Sequence, residues 1–334
     1  YTGNGSTQTI SSVGFQPDFT WIKNRSDTHQ HVLSDSVRGT GKELRSDTDG
    51  AETTNGDITA FGSDGFSISS NGQVSNNGNN FASWNWKAGT SVSGDTTGSG
   101  TLKTYTGSVN TDAGFSIISF TGNGTSGHTI PHNLGVAPAM VILKRYDSSN
   151  NWRVGHNGLT SWEYRLTLEA QDTQSTQSAV FNSTAPTSSV VTLGNSGSAN
   201  GNGATYIMYS FADVQGYSKF GSYLANAQTG INGPFIYLGF KPSLVIIKNT
   251  AATGWYMYDN KRNPYNRVAK ALFPDSNAAE YDYTDRLDFL SNGFAIRGAS
   301  ASTGDNSPAG QEYIYMAFAE APLVGTNNVP CTAR

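Results

Sequence analysis

The sequence predicts an all-β protein made of three tandem β-sandwich units of jelly-roll or lectin-like type. Three observations point there. A strand motif recurs three times, short apolar segments alternate with Gly-, Asn- and Ser-rich turns, and no apolar 3.6-residue period persists over a dozen residues. Each unit spans roughly 90–110 residues, the size of one sandwich.

The motif is Gly-x-x-Pro, a five-residue strand core and a lysine. It stands at Gly14–Lys23 (Gly-Phe-Gln-Pro-Asp-Phe-Thr-Trp-Ile-Lys), Gly135–Lys144 (Gly-Val-Ala-Pro-Ala-Met-Val-Ile-Leu-Lys) and Gly239–Lys248 (Gly-Phe-Lys-Pro-Ser-Leu-Val-Ile-Ile-Lys). Proline fixes φ and cannot donate to a ladder, so it belongs at the mouth of the strand. In the second and third copies both faces of the strand are apolar, the pattern of an inner strand covered on both sides.

A second strand follows at His31–Asp35, Trp152–His156 and Trp255–Asp259. In the first and third copies it runs on as Asp-x-x-Arg, giving Asp35/Arg38 and Asp259/Arg262; the second copy has His156 and Leu159 instead. A guanidinium fork matches a carboxylate, so this pair reads as an internal clamp at a strand end. A Gly-Phe-x-Ile strand comes next, at Gly65–Ile68 and Gly293–Ile296, with Val190–Leu193 as its degenerate counterpart. Each copy closes on an aromatic-flanked strand: Phe81–Trp86, Tyr206–Phe211 and Tyr313–Phe318. Alternation puts Trp84 with Trp86, Tyr209 with Phe211 and Met316 with Phe318 on one face, assigned to the core.

These repeats divide the chain into a first unit at 1–89, a Gly/Ser/Thr linker at 90–104, flexible by composition, a second unit at 105–213, a third at 214–321 and a C-terminal tail at 322–334. Tyr1-Thr-Gly-Asn-Gly matches Phe120–Gly124, which in the second copy follows the strand Gly114–Ser119. The first unit has no counterpart of that strand. The expectation is a first sandwich without its opening strand, in the C-terminal piece of a longer polypeptide.

Composition narrows the functional classes. Asp, Glu, Lys and Arg make up 14% of residues, against about 25% in an average domain. The net charge is −4 with a pI near 5.7, against the clustered cations of a duplex-DNA binder. No apolar run approaches the ~18–20 residues of a membrane-spanning helix. The single cysteine, Cys331, permits no intrachain disulfide and no Cys-based zinc site. That usage fits a reducing cytoplasm, or a secreted protein without bridges.

No catalytic motif stands out: Gly-x-Ser-x-Gly, P-loop and dinucleotide fingerprints are missing. Glu163 and Glu169 share a face of an apparent strand, Trp162–Glu169, which separates them by ~20 Å at ~3.3 Å per residue. A glycosidase pair needs about 5–9.5 Å. His29 with His31, and His128 with His132, each offer two imidazoles without an obvious third ligand. The acidic loop Asp47–Gly50 with Glu52 lacks EF-hand spacing and reads as a solvated turn. We therefore assign no catalytic residue, metal or cofactor.

The chain resembles a family of repeat-containing phage virion-surface and tail-fibre proteins, of the type found in phages of marine bacteria and cyanobacteria. The resemblance rests on Tyr1-Thr-Gly-Asn-Gly, Gly14-Phe-Gln-Pro, Trp21-Ile-Lys-Asn-Arg25, Ala82-Ser-Trp-Asn-Trp-Lys-Ala88, Asn110–Ile117 and His132-Asn-Leu-Gly-Val-Ala-Pro138. It covers about residues 1–320 and is strongest in the first 145. It implies a virion component at the particle surface, assembled in the host cytoplasm with other virion proteins, often in a homo-oligomer, with a trimer favoured for fibres. Attachment to a bacterial surface glycan or protein is the expected task. The alternatives are a capsid-surface decoration protein without receptor binding, and a secreted carbohydrate-binding adhesin.

A sugar site wants an exposed aromatic beside amides or charges. The third unit is richest in these, at Trp255–Tyr265 and Glu280–Tyr283. If Trp255 and Met257 point inward, Tyr256 and Tyr258 face outward near Arg262, with Tyr265, Tyr281 and Tyr283 as loop candidates. The same residue types suit a subunit interface.

Overall fold

In all three copies the turn before the motif strand needs glycine: Gly14, Gly135 and Gly239 adopt φ of 86°, 77° and 85°, where a Cβ is strained. The proline then opens a strand whose faces are both covered. Every residue of Phe19–Asn24 and Leu244–Asn249 is buried, as are all but Arg145 in Met140–Arg145. The computed structural model describes residues 1–298 and 306–320, so the expected tail and Cys331 lie outside the described residues. Within them the chain is nearly all β, arranged in antiparallel sheets.

The three motif strands hold the same place in three sheets. Val32–Asp35, Phe19–Asn24 and Phe81–Trp86 lie side by side in that order. Arg153–His156, Met140–Arg145, Thr205–Phe211 and Phe115–Thr121 repeat the order with a fourth strand. Trp255–Asp259, Leu244–Asn249, Glu312–Phe318 and Ser218–Leu224 repeat it again. At the fourth place beside the first sheet stand Tyr1 and Thr2. Phe81 N donates to Tyr1 O at 2.8 Å, Tyr1 N returns a bond to Phe81 O at 3.1 Å, and Thr2 bridges Asn80.

The stretch expected as a flexible linker is instead sheet. Thr90–Asp95 pairs residue for residue with 104–109 at the edge of the second sheet, and Thr97–Gly98 pairs with His128–Thr129. Its side chains are mostly exposed. Backbone hydrogen bonds hold it there, and its threonines favour extended chain, so apolar content gave no warning.

Each of these three sheets has one face against a second sheet, with a core of its own between the two. The second sheets are built on Gly65–Ile68, Val190–Leu193 and Gly293–Ile296. The opposite faces meet in one shared core, which takes Phe19 and Trp21, Met140 and Ile142, and Leu244 and Ile246 from the three motif strands. At its centre Trp86, Phe211 and Phe318, the last residues of three equivalent strands, form a triangle with ring centroids 6.2, 5.7 and 6.0 Å apart.

Hydrogen bonds close this arrangement into a ring. Leu33, Val154 and Met257 bridge Leu44, Leu166 and Leu272, which makes His31, Trp152 and Trp255 equivalent, and likewise Arg45, Thr167 and Phe273. Trp152 Nε1–H donates to Arg45 O at 2.9 Å and Trp255 Nε1–H to Thr167 O at 3.0 Å. His31 completes the circuit at Phe273 O, 2.9 Å away. A second circuit runs nearby: Tyr209 donates to Asp35 (2.7 Å), Trp84 to Asp259 (3.3 Å) and His156 to Tyr315 O (3.2 Å).

Candidate functional site

The Asp-x-x-Arg turns fold on themselves before they do anything else. The Asp259 carboxylate accepts the Arg262 backbone N–H at 2.9 Å and its Nε at 2.6 Å, which fixes the guanidinium in the turn. The remaining nitrogens reach Glu280 (3.0 Å) and Met257 O (2.8 Å). Arg38 makes the matching set with Asp35 (2.6 Å), Glu52 (3.0 Å) and Leu33 O (3.1 Å). Glu280 is also gripped by Arg25 through two bonds of 2.9 Å. Burial pushes the Glu280 carboxyl up, but Arg25 and Arg262 together hold it below the usual range. Arg262 is buried with its donors engaged, so it is a clamp and not a surface ligand contact.

Tyr256 and Tyr258 do not face outward either. Both are buried in the core between the sheet of Leu244–Asn249 and the sheet of Gly293–Ile296, at 7% and 0% exposure, while Trp255 and Met257 join the shared central core. Trp255 and Met257 point inward as alternation requires, but both faces of the strand are covered. A strand at a sheet edge need not have a solvent face when the sheet packs on both sides.

The other three candidates are accessible to different degrees. Tyr281 is exposed and lies 4.4 Å from the ring of half-buried Tyr283, which in turn faces the Arg286 guanidinium at 3.5 Å. Tyr265 is 83% exposed. It stands in a groove of about 440 Å³ lined by Lys241, Asn260, Lys261, Asn263, Pro264, Asn266, Val268 and Phe289. Val268 and Phe289 are buried and give the groove an apolar base.

The groove is shaped by its own asparagines. Asn266 brackets the Phe289 backbone, donating to its O at 3.1 Å and accepting from its N at 2.9 Å. Asn263 Oδ1 accepts from the N–H groups of Ala269 (3.2 Å) and Lys270 (2.8 Å), and Asn260 Oδ1 from Ser243 Oγ (2.9 Å). Lys261 pairs with Glu320, whose carboxyl is held low first by that hydrogen bond, with Lys241 adding a weaker pull. Of the run from Asn260 to Tyr265, only Arg262 and Tyr265 stand out in the sequence as candidates. Lys241 was hidden inside the Gly-x-x-Pro turn, and Phe289 is too distant in sequence to be assigned there.

The histidines and acids set aside in the sequence have structural places. His31 accepts from Trp21 Nε1 at its Nδ1 (2.8 Å) while donating across the ring, and burial lowers its pKa to about 3. His156 accepts the Gly158 N–H in the same tautomer and is lowered by burial to about 4. The acidic loop is a joint: Asp47 accepts the His31 N–H, Asp49 O accepts from Lys144 and Glu52 holds Arg38. The expected strand Trp162–Glu169 shrinks to Tyr164–Arg165, and Glu169 turns back to Asn151 and Trp152 N. Among the described residues, no group of three or more His, Cys, Asp or Glu side chains gathers to hold a metal ion. No helix there is long and apolar enough to cross a membrane.

A family model described as "Domain of unknown function (DUF7483)" matches residues 1–322. The chain belongs to this family. No curated protein and no solved structure matches the DUF7483 chain.

Proposed function

We propose that this DUF7483 protein is a non-enzymatic phage virion component, part of a tail fibre or similar appendage, that attaches the particle to a bacterial surface glycan or protein. On this reading three tandem sandwich units, closed into a ring, form a rigid carrier at the virion surface, assembled in the host cytoplasm beside other virion proteins. Homo-oligomerisation, as a trimer, would multiply weak contacts into firm attachment.

The observation that carries the reading is the Tyr265 groove. A ring 83% exposed above an apolar base, with amides and ammonium groups around it, offers what a sugar needs: a flat face for C–H groups and donors for hydroxyls. Elsewhere the aromatics of the third unit's motif strands are packed away.

A structural decoration role is the second reading. It is favoured by exposed Leu224, Ile231, Phe235 and Tyr237 in the single segment 224–237, which suits contact with another virion protein. Adhesion of the purified chain to intact host bacteria separates the two. Attachment requires retention on cells and its loss in Tyr265→Ala, whereas a decoration protein is washed away. Release of reducing ends from host polysaccharide would instead make the protein an enzyme.

A further inference from the structure

We propose that the Tyr265 groove selects a carboxylate-bearing sugar, such as a uronic acid within an acidic polysaccharide, rather than a neutral one. The inference deepens the attachment reading and rests on it.

The argument is an inventory of what the groove has left to offer. Its three asparagine side-chain oxygens are already engaged: Asn260 by Ser243, Asn263 by two backbone N–H groups and Asn266 by Phe289 N. Asn266 Nδ2 is spent on Phe289 O. The lining side chains that remain are rich in donors: the Lys241 ammonium, the Asn263 amide NH2 and the Tyr265 hydroxyl, which can also accept. A neutral sugar presents hydroxyls that need acceptors as well as donors. A donor-rich rim matches a carboxylate, which only accepts, better than it matches hydroxyls.

Charge points the same way. Lys241 and Lys261 bring two positive charges to the rim, and Glu320, held by Lys261, returns one negative charge. The balance is one uncompensated ammonium beside an exposed aromatic face. A pyranose carboxylate laid on Tyr265 would place its C–H face on the ring and its acid towards Lys241, where a charge-assisted hydrogen bond is roughly twice as strong as a neutral one.

The test uses the full chain and oligogalacturonate, its methyl-esterified form and a neutral cello-oligosaccharide as probes, followed by calorimetry. The expected result is binding of oligogalacturonate that falls at least tenfold on esterification, in Lys241→Gln and in Tyr265→Ala, and that weakens with added salt. Both residues are exposed, so thermal melts of the variants should match the parent. Equal binding of acid and ester, or preference for the neutral chain, overturns carboxylate selection and leaves the attachment reading standing. Failure of all three probes together with failure to adhere to host cells defeats both. Adhesion to cells with no response to any probe overturns the sugar acid and points to a protein receptor.

Discussion

The indole N–H of Trp255 meets the carbonyl of Thr167 at 3.0 Å, deep in the interior, and joins the last third of the chain to the middle third. The same bond recurs between Trp152 and Arg45, and an imidazole makes it between His31 and Phe273. In Trp255→Phe the ring volume largely stays but Thr167 O loses its donor. An unsatisfied buried acceptor costs about 1–3 kcal/mol. Urea denaturation should show a loss of that size with an unchanged m-value; a change below a few tenths would mean the bond contributes nothing.

Acidity should loosen the ring. His31 and His156 are lowered from 6.5 to about 3 and about 4, so between pH 6.5 and 4 the unfolded chain binds protons that the folded chain refuses. Stability from these groups is complete above pH 6.5 and is lost as pH falls, by up to about 1.4 kcal/mol per pH unit for each histidine. Lys23 and Arg45 add to the effect at His31, whereas buried carboxyls raised in the fold, such as Asp47, work with the opposite sign. His31→Gln keeps an acceptor for Trp21 and a donor for Phe273 without the titration. Denaturation midpoints at pH 7 and 5 should therefore differ less in this variant than in the parent.

Arg262→Lys should be far more damaging than Arg25→Ala. Lysine has no fork to hold Asp259, Glu280 and Met257 O together, and it leaves the buried Asp259 and the partly buried Glu280 poorly matched. The expected cost is about 3–5 kcal/mol. Arg25 is partly exposed and Glu280 keeps its other partner, so its removal should cost about 1 kcal/mol or less. Equal costs, read from thermal or chemical denaturation, would contradict the clamp.

The edge of Phe81–Trp86 should accept a strand. Phe81 uses that side to pair with Tyr1, and alternation places the backbone groups of Ser83 and Asn85 on it too. In the second sheet the corresponding edge is covered by Phe115–Thr121. A synthetic peptide with the sequence of residues 114–119 should slow amide exchange at Ser83 and Asn85 and raise the melting temperature, while a scrambled peptide does neither. Unchanged exchange at saturating peptide would show that the edge is not a docking strand.

How far the sequence could be read depended on whether a residue's role was local. The three motif strands, the inward face of Trp84, Tyr209 and Met316, and the Asp-x-x-Arg clamps follow from spacing alone, because turn chemistry and alternation act over a few residues. Tyr256 and Tyr258 were misplaced because nothing local records that a second sheet covers their face. The strand at Thr90–Asp95 carries no apolar pattern and is specified by its neighbour's backbone. The groove needed Phe289 and Lys241 brought to the Asn260–Asn266 loop, a relation that only the packed sheets create.

The aromatic triangle has a consequence for biosynthesis. Trp86 is translated long before Phe318, the residue it must finally touch, and Trp84 waits 175 residues for Asp259. A nascent chain that has emerged only through Phe211 therefore carries a wet aromatic flank with no lid. Closing so long a loop is entropically slow, so the core stays open until Phe318 has been made, and the half-made product is the species most prone to stick to its neighbours.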